Sequence, residues 1–349
     1  MDIGTRSIGR DEPLYFIAEA GVNHNGELSM AKELVEVAAD CGADAVKFQS
    51  FNTDELTTES APKAEYQEET TGEVSQSEML RRYELDRADH AELQNHCERH
   101  GITFLSTPFD EGSADLLDEL GVDAFKIGSG ELDNLPLLEH VAAFGTPMIV
   151  STGMGTMAEV ERAYERIRSV RGTDELALLH CASAYPAPMD IVNLAAIATL
   201  AGAFDVPVGY SDHTTAVETP ALAVAAGAAI VEKHLTLDSS LPGPDHEASM
   251  EPAELDRAIS LARTARVARG DGEKRPMPVE RDNRDVIRKS LHAASSLEAG
   301  SVLSRSDISI SRPADGLAPT ELGSVVGREL RTGVTVDEPI TADVLRGSR

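Results

Sequence analysis

Short hydrophobic runs alternate with stretches of helical periodicity through the first three quarters of the chain. Eight runs read as buried strands: Tyr15–Ala20, Ala45–Gln49, Thr103–Thr107, Ala124–Ile127, Pro147–Thr152, Leu176–Cys181, Val206–Tyr210 and Ala228–Val231, the last leading to His234. Between and after them, apolar residues recur at helical spacing over Ser29–Cys41, Asp89–His100, Gly112–Leu120, Leu135–Phe144, Ala158–Val170, Ile191–Leu200, Ala216–Ala226 and Pro252–Ala268. Strands alternating with helices at intervals of roughly 20–30 residues predict parallel βαβ units. Eight of them favour a closed (β/α)8 barrel of the α/β class over an open, doubly wound sheet. One stretch departs from the rhythm. Residues 50–85 are polar, rich in Thr, Glu and Gln, and read as a functional insertion or a partly mobile segment.

The pattern changes near residue 270. The barrel domain is expected over residues 1–270 and a charged, proline-containing linker over 271–285. A small, mainly β domain, at the lower edge of independent stability, is expected over 286–349. Within it, SLHAAS and DISISRP are β-like, Pro319–Val325 is helix-like, and pairs such as Ala299-Gly300 and Thr332-Gly333 mark turns.

Charge alters the picture of partners. The chain of 349 residues carries 60 acidic and 31 basic residues, a net charge of −29, and only seven of the basic residues are lysine. An acidic excess spread over the whole length argues against nucleic acid or an anionic membrane as a partner. Such self-repulsion is tolerable where salt is molar and the screening length falls to about 3 Å, which points to the cytoplasm of a halophilic microbe. Three scattered cysteines, Cys41, Cys97 and Cys181, read as buried thiols in a reducing compartment. No secretory core or membrane-length apolar run is present, so a soluble, cytoplasmic protein is expected.

In parallel α/β folds ligands bind at the carboxyl ends of the strands. Read there, this chain gives Glu19, Lys47 with Gln49, Thr107, Lys126 with Ser129 and Glu131, Ser151 and Thr152, Ser183 and Tyr185, Ser211 and His213, then His234. Lys47 and Lys126 interrupt apolar strands, AVKFQ and AFKIGS, where an unpaired ammonium is costly. Two lysines and several hydroxyls around Gly128-Ser129-Gly130 suit a phosphate, the alternative being structural ion pairs with carboxylates such as Glu19. His213 and His234 either converge on a divalent ion of the Mn/Zn/Co/Fe group or bond their own loops. The turn Pro242-Gly243-Pro244 sets Asp245, with His246 and Glu247, over the mouth. A metal, a phosphate cradle and carboxylates together suit an aldol-type condensation of a phosphorylated enol with a carbonyl compound. A Schiff-base aldolase built on Lys126 or Lys233 is the rival.

Taken in order, IAEAGVNHNG, VKFQ, STPFD, KIGSGE, STGM, HCASAYPAP, GYSDHT, EKHLTLD and PGPDH resemble the sialic acid synthase family, from Tyr15 to Leu345. The resemblance implies a TIM barrel followed by an antifreeze-like (SAF) domain, in a domain-swapped homodimer whose SAF domains cover each other's active sites. It implies condensation of phosphoenolpyruvate with an N-acetylated hexosamine aldehyde, most familiarly N-acetylmannosamine, to a nine-carbon 2-keto sugar acid. A 2,4-diacetamido-2,4,6-trideoxy hexose, leading to legionaminic or pseudaminic acid, is the alternative acceptor, and a phosphorylated hexosamine a further one. Carried over by motif, His213 and His234 would hold Mn²⁺ or Mg²⁺. Lys47, Thr107, Lys126, Ser129, Ser151, Ser183 and Ser211 would surround phosphoenolpyruvate, and Glu19, Glu131, Tyr185 and Asp245 would bind the sugar or manage protons. In the tail, SRPADGL makes Arg312 the residue reaching a partner's sugar site, with Ser311 and Ala314 departing from the family's basic residue and glycine. A catalytically silent sugar-binding protein is the reading from a different class.

Overall fold

The structure, a computed structural model, describes residues 1–63 and 75–347 and divides into two compact units, Met1–Asp271 and Gly272–Arg349. The first unit opens with a hairpin that the hydrophobic pattern does not announce, β1 (Asp2–Ile3) against β2 (Arg6–Ser7). Eight parallel strands follow: β3 (Tyr15–Gly21), β4 (Ala45–Ser50), β5 (Thr103–Pro108), β6 (Phe125–Ile127), β7 (Met148–Ser151), β8 (Leu176–Cys181), β9 (Val208–Asp212) and β10 (Ile230–His234). They pair in that order and β10 closes on β3, so the sheet is the expected barrel and not an open one.

Strands enclosed on both faces need apolar residues at consecutive positions, and β3 is buried over its whole length. Side chains alternate across each strand. Phe16, Val46, Phe48 and Phe125 point out into the core beneath the helices. Tyr15, Ile17, Ala45, Leu105, Ala124 and Ile230 form a separate cluster inside the barrel, and Ile3 and Ile8 close its base. Gly209 sits where this interior leaves no room for a side chain. A Cβ there would lie 2.5 Å from the Ile230 carbonyl oxygen and 2.5 Å from Leu179 Cδ2.

The helices follow the predicted order with shifted ends. Arg87–His100 and Met157–Arg171 start at capping boxes on Asp86 and Thr156. The predicted Ile191–Leu200 helix begins at Ala195, because Asn193, at φ 48°, breaks the helical backbone after a 3-10 turn at Met189–Ile191. The predicted Ala216–Ala226 helix begins at Thr219, with Pro220 in its first turn, where the missing N–H has no partner to lose. The polar segment contributes two short helices, Thr53–Leu56 and Gln76–Leu80, and residues 64–74 lie outside the described residues.

In the second unit, β11 (Ser290–Ala293) pairs antiparallel with β12 (Ile308–Ser311). Isolated bridges tie the remaining loops around a small core of Leu291, Leu303, Ile308, Leu330 and Ile340. The stretch expected to be an aperiodic linker over 271–285 is helical in its second half. Pro278–Ile287 is helical, begun by Pro278 and a Glu280 carboxylate that accepts from the Met277 N–H at 2.7 Å. None of its residues is buried, so no apolar face marked it in the sequence. Among the described residues no helix is long and apolar enough to cross a membrane.

Gly209→Ala is expected to destabilise the first unit by about 1–3 kcal/mol through overpacking. An unchanged denaturation midpoint in urea would show that the barrel interior has room the contacts deny.

Candidate active site

The alternation that builds the barrel base also builds its mouth. Continuing each inward row by two residues takes Ile17 to Glu19, Ala45 to Lys47, Leu105 to Thr107, Ala124 to Lys126, Ile149 to Ser151, Gly209 to Ser211 and Ile230 to Glu232 and then His234. All of these upper residues line one cavity of about 560 Å³, together with Gln49, Ser129, Cys181, Ser183, Tyr185, His213 and Asp245. Lys233 has the opposite parity. It is fully buried outside the cavity, 3.0 Å from Asp212 and bonded to the Thr214 carbonyl, so it is a structural ion pair and not a Schiff-base lysine.

Both cavity lysines are already paired. Lys47 Nζ lies 2.7 Å from Glu19 on the neighbouring strand and donates to Thr107 Oγ1 at 2.9 Å. Lys126 on β6 reaches Glu232 on β10 at 3.2 Å, across the barrel, and Ser211 donates to the same carboxylate oxygen at 2.9 Å. Burial would raise Glu232, but the Lys126 and Lys47 ammonium groups and the Ser211 hydroxyl outweigh it and hold this carboxyl below the usual range. For Glu19, burial prevails over Lys47, and the nearby Glu232 charge adds to it, so this carboxyl is raised. Burial also lowers Lys126 despite its partner. The pairs are therefore unequal, and Glu19 is the carboxylate that most readily takes a proton.

The hydroxyls face the same space. Ser151 Oγ is buried with no partner, and Ser129 Oγ accepts from the Gly153 N–H at 3.0 Å while lying 3.0 Å from Cys181 Sγ. The two imidazoles converge, with ring centroids 5.5 Å apart, and Tyr185 packs on His213 at 4.2 Å. His213 Nδ1 faces the Ala182 carbonyl at 2.8 Å and must carry the hydrogen, leaving Nε2 as a lone-pair donor.

Two regions of the chain match known families: residues 34–274 the NeuB family and residues 288–346 the SAF domain. The chain is 46% identical to the N,N'-diacetyllegionaminic acid synthase of Legionella pneumophila, over 94% of this chain and 93% of that one. It is 33% identical to the human N-acetylneuraminate-9-phosphate synthase, over 97% of this chain and 95% of that one. Among solved structures, the N-acetylneuraminic acid synthetase of Leptospira borgpetersenii in complex with citrate has a TM-score of 0.73 at 36% identity, covering 81% of this chain and 94% of that one.

The chain belongs to the NeuB family.

Against that family's metal chemistry, the donor set of this cavity can be tested directly. His234 Nδ1 is buried without a hydrogen-bond partner, and His213 Nε2 is free of its proton. Burial holds both imidazoles below their ordinary value, and the His213 ring further disfavours protonation of His234. Two neutral imidazole donors in a cavity that also holds carboxylates fit a divalent ion.

Glu131, expected in the site, is not part of the lining of this NeuB-family cavity. It ends the 3-10 turn Ser129–Glu131 and accepts from Asn134 Nδ2 at 2.6 Å. Arg312 is an exposed residue of the second unit. Conversely, Glu232 joins the site without being among the expected residues, and its signal is the period-two face it shares with Ile230 and His234. Val22, Leu56, Met79, Leu80, Tyr83 and Phe109 form an apolar wall of the cavity, drawn largely from the polar segment. No periodicity marked them.

Burial pushes the Asp245 carboxyl up to about 6, against the pull of Lys47. Its folded value lies above the unfolded one, so the folded state keeps a proton that the unfolded chain releases, and this contribution to stability is lost as pH rises towards 6. The stability advantage of Asp245→Asn over wild type should therefore widen by about 2 kcal/mol between pH 4 and pH 7. Denaturant midpoints of the metal-free proteins read it, and a gap independent of pH would rule out a buried, ionising Asp245.

Proposed function

We propose that this chain condenses phosphoenolpyruvate with the open-chain aldehyde of an N-acylated hexosamine, giving a nine-carbon 2-keto sugar acid and releasing phosphate by C–O cleavage. The observation that carries the reading is the meeting of two buried lysines and a pair of converging imidazoles in one cavity. The lysines suit a phosphate and a carboxylate together, and the imidazoles suit an electrophile-activating ion.

In this reading Lys47 and Lys126 turn from Glu19 and Glu232 towards the anionic enol, with Thr107, Ser129, Ser151, Ser183 and Ser211 supplying short hydrogen bonds. A divalent ion held by His213 and His234, Mn²⁺ or Mg²⁺, supplies Lewis-acid polarisation of an aldehyde oxygen when bound. Carbon 3 of the enol attacks the aldehyde, water adds at carbon 2, and the tetrahedral adduct expels phosphate. Glu19, its carboxyl raised by burial, takes the proton released from the attacking water. Tyr185 and Asp245 line the remaining face and hold sugar hydroxyls.

The acceptor follows from the apolar wall. Val22, Leu56, Met79, Leu80, Tyr83 and Phe109 suit the methyl group of a 6-deoxy sugar, and Thr57 and Gln76 beside them are engaged with each other at 2.8 Å. A 2,4-diacetamido-2,4,6-trideoxy hexose is therefore the first acceptor and N-acetylmannosamine the second, an order also supported by 46% identity to a diacetyllegionaminic acid synthase against 33% to a neuraminate-9-phosphate synthase. The proposal includes a homodimer in which Arg312 of each chain serves the other's sugar site. It also includes a salt-rich, cytoplasmic setting for a chain of net charge −29.

Phosphate release should be measured in molar salt with Mn²⁺ and each acceptor in turn. Turnover is expected with both, kcat/KM favouring the trideoxy hexose by about 10–100-fold. Silence with every acceptor in folded, metal-loaded protein would leave the binding-protein reading. His234→Ala should lower turnover by about 10³-fold or more, and full activity in that variant would remove the histidines from catalysis. Arg312→Ala should raise the acceptor KM with kcat nearly unchanged; an unaltered KM would separate the second unit from sugar binding.

A further inference from the structure

Outside the barrel, two neighbouring helices bring a second set of donor atoms together. His96 and His100, four apart in Arg87–His100, share one helix face, with ring centroids 4.6 Å apart. Glu36 projects from the adjoining Leu28–Asp40 helix, its Oε1 3.1 Å from His96 Nε2. One donor atom from each of the three lies within 4.8 Å of the others. None of these residues lines the catalytic cavity.

We propose that Glu36, His96 and His100 form a binding site for a late first-row divalent cation of the zinc and nickel class. Two imidazoles and one carboxylate are a borderline-soft set that suits such ions and disfavours calcium or magnesium. Three protein donors leave a further position for water. His96 is the fixed member, 8% exposed between the helices, while Glu36 and His100 are exposed and free to close the last ångström. Donors around zinc lie about 2 Å from the ion and so about 3.3 Å from one another.

Arg99 decides how the site works. Its Nη2 lies 2.9 Å from His96 Nδ1, and a guanidinium can only donate, so Nδ1 accepts and Nε2 carries the hydrogen that points at Glu36. A cation at Nε2 takes the place of that hydrogen, which moves to Nδ1, and Arg99 must then swing away. The Arg99 side chain is exposed and also reaches Glu92 at 3.4 Å, which gives it somewhere to go. Arg99 and the cation are thus competitors for His96. A bound ion would bridge the two helices and stabilise the folded unit by mass action.

Zn²⁺ titration by calorimetry and Co²⁺ titration by visible absorption test the site in chelator-stripped protein, with His213→Ala/His234→Ala as the background that silences the cavity pair. That background should bind one equivalent of Zn²⁺. Adding His100→Ala, a change at an exposed residue, should weaken binding at least about tenfold. Adding Arg99→Ala should strengthen it. In the otherwise wild-type chain His100→Ala should remove one of two equivalents while turnover stays unchanged, so the result does not depend on the double variant folding. Zn²⁺ binding that is indifferent to His100→Ala, or an Arg99→Ala variant that binds more weakly, would overturn the assignment.

Discussion

Two ammonium groups sit in the throat of a barrel with almost no exposed surface, and everything around them answers to that constraint. An unpaired charge at such depth is expensive, and pairing offsets the cost only where geometry is good. The fold meets this in two different ways. Lys47 and Glu19 are direct neighbours in the β3–β4 register, so the sheet itself holds them at 2.7 Å. Lys126 and Glu232 belong to strands that do not touch, and their contact spans the lumen. The first pair is fixed by backbone hydrogen bonding, the second by the diameter of the closed barrel.

This arrangement also sets the cavity's readiness for an anion. With both lysines matched and Asp245 added, the throat holds no surplus of positive charge. A phosphate entering as proposed would displace carboxylates from ammonium groups, and the displaced charge would need somewhere to go. Glu19, raised by burial, can accept a proton, whereas Glu232, held low by two lysines and a hydroxyl, cannot do so readily. The inequality of the two pairs gives the proposed chemistry a base on one side and a fixed anion on the other.

The inward row was legible in the sequence because it follows period two on strands whose apolar starts are plain. Tyr15, Ile17 and Glu19 are one row, and so are Ala45 and Lys47. Lys233 shows how strict the rule is: one residue from Glu232, it faces the other way and pairs with Asp212. What the sequence hid came from elements with no periodicity of their own. The β1–β2 hairpin is too short to carry a pattern, and the Pro278–Ile287 helix buries nothing. The apolar wall draws on two helices of four and five residues inside a segment that averages as polar. Glu131 lies beyond the inward row, in a 3-10 turn after β6 where its carboxylate accepts from Asn134.

The acidity of the chain bears on the site through distance. At low salt a net charge of −29 repels an anionic substrate from far outside the cavity, and the balanced throat offers no field to offset it. In molar salt the screening length falls to about 3 Å, and the repulsion of the distant surface disappears. The contacts at 2.7 and 3.2 Å inside the throat are buried and are screened far less. A surface this acidic and the proposed anion site would be compatible in one protein because the two act over different distances.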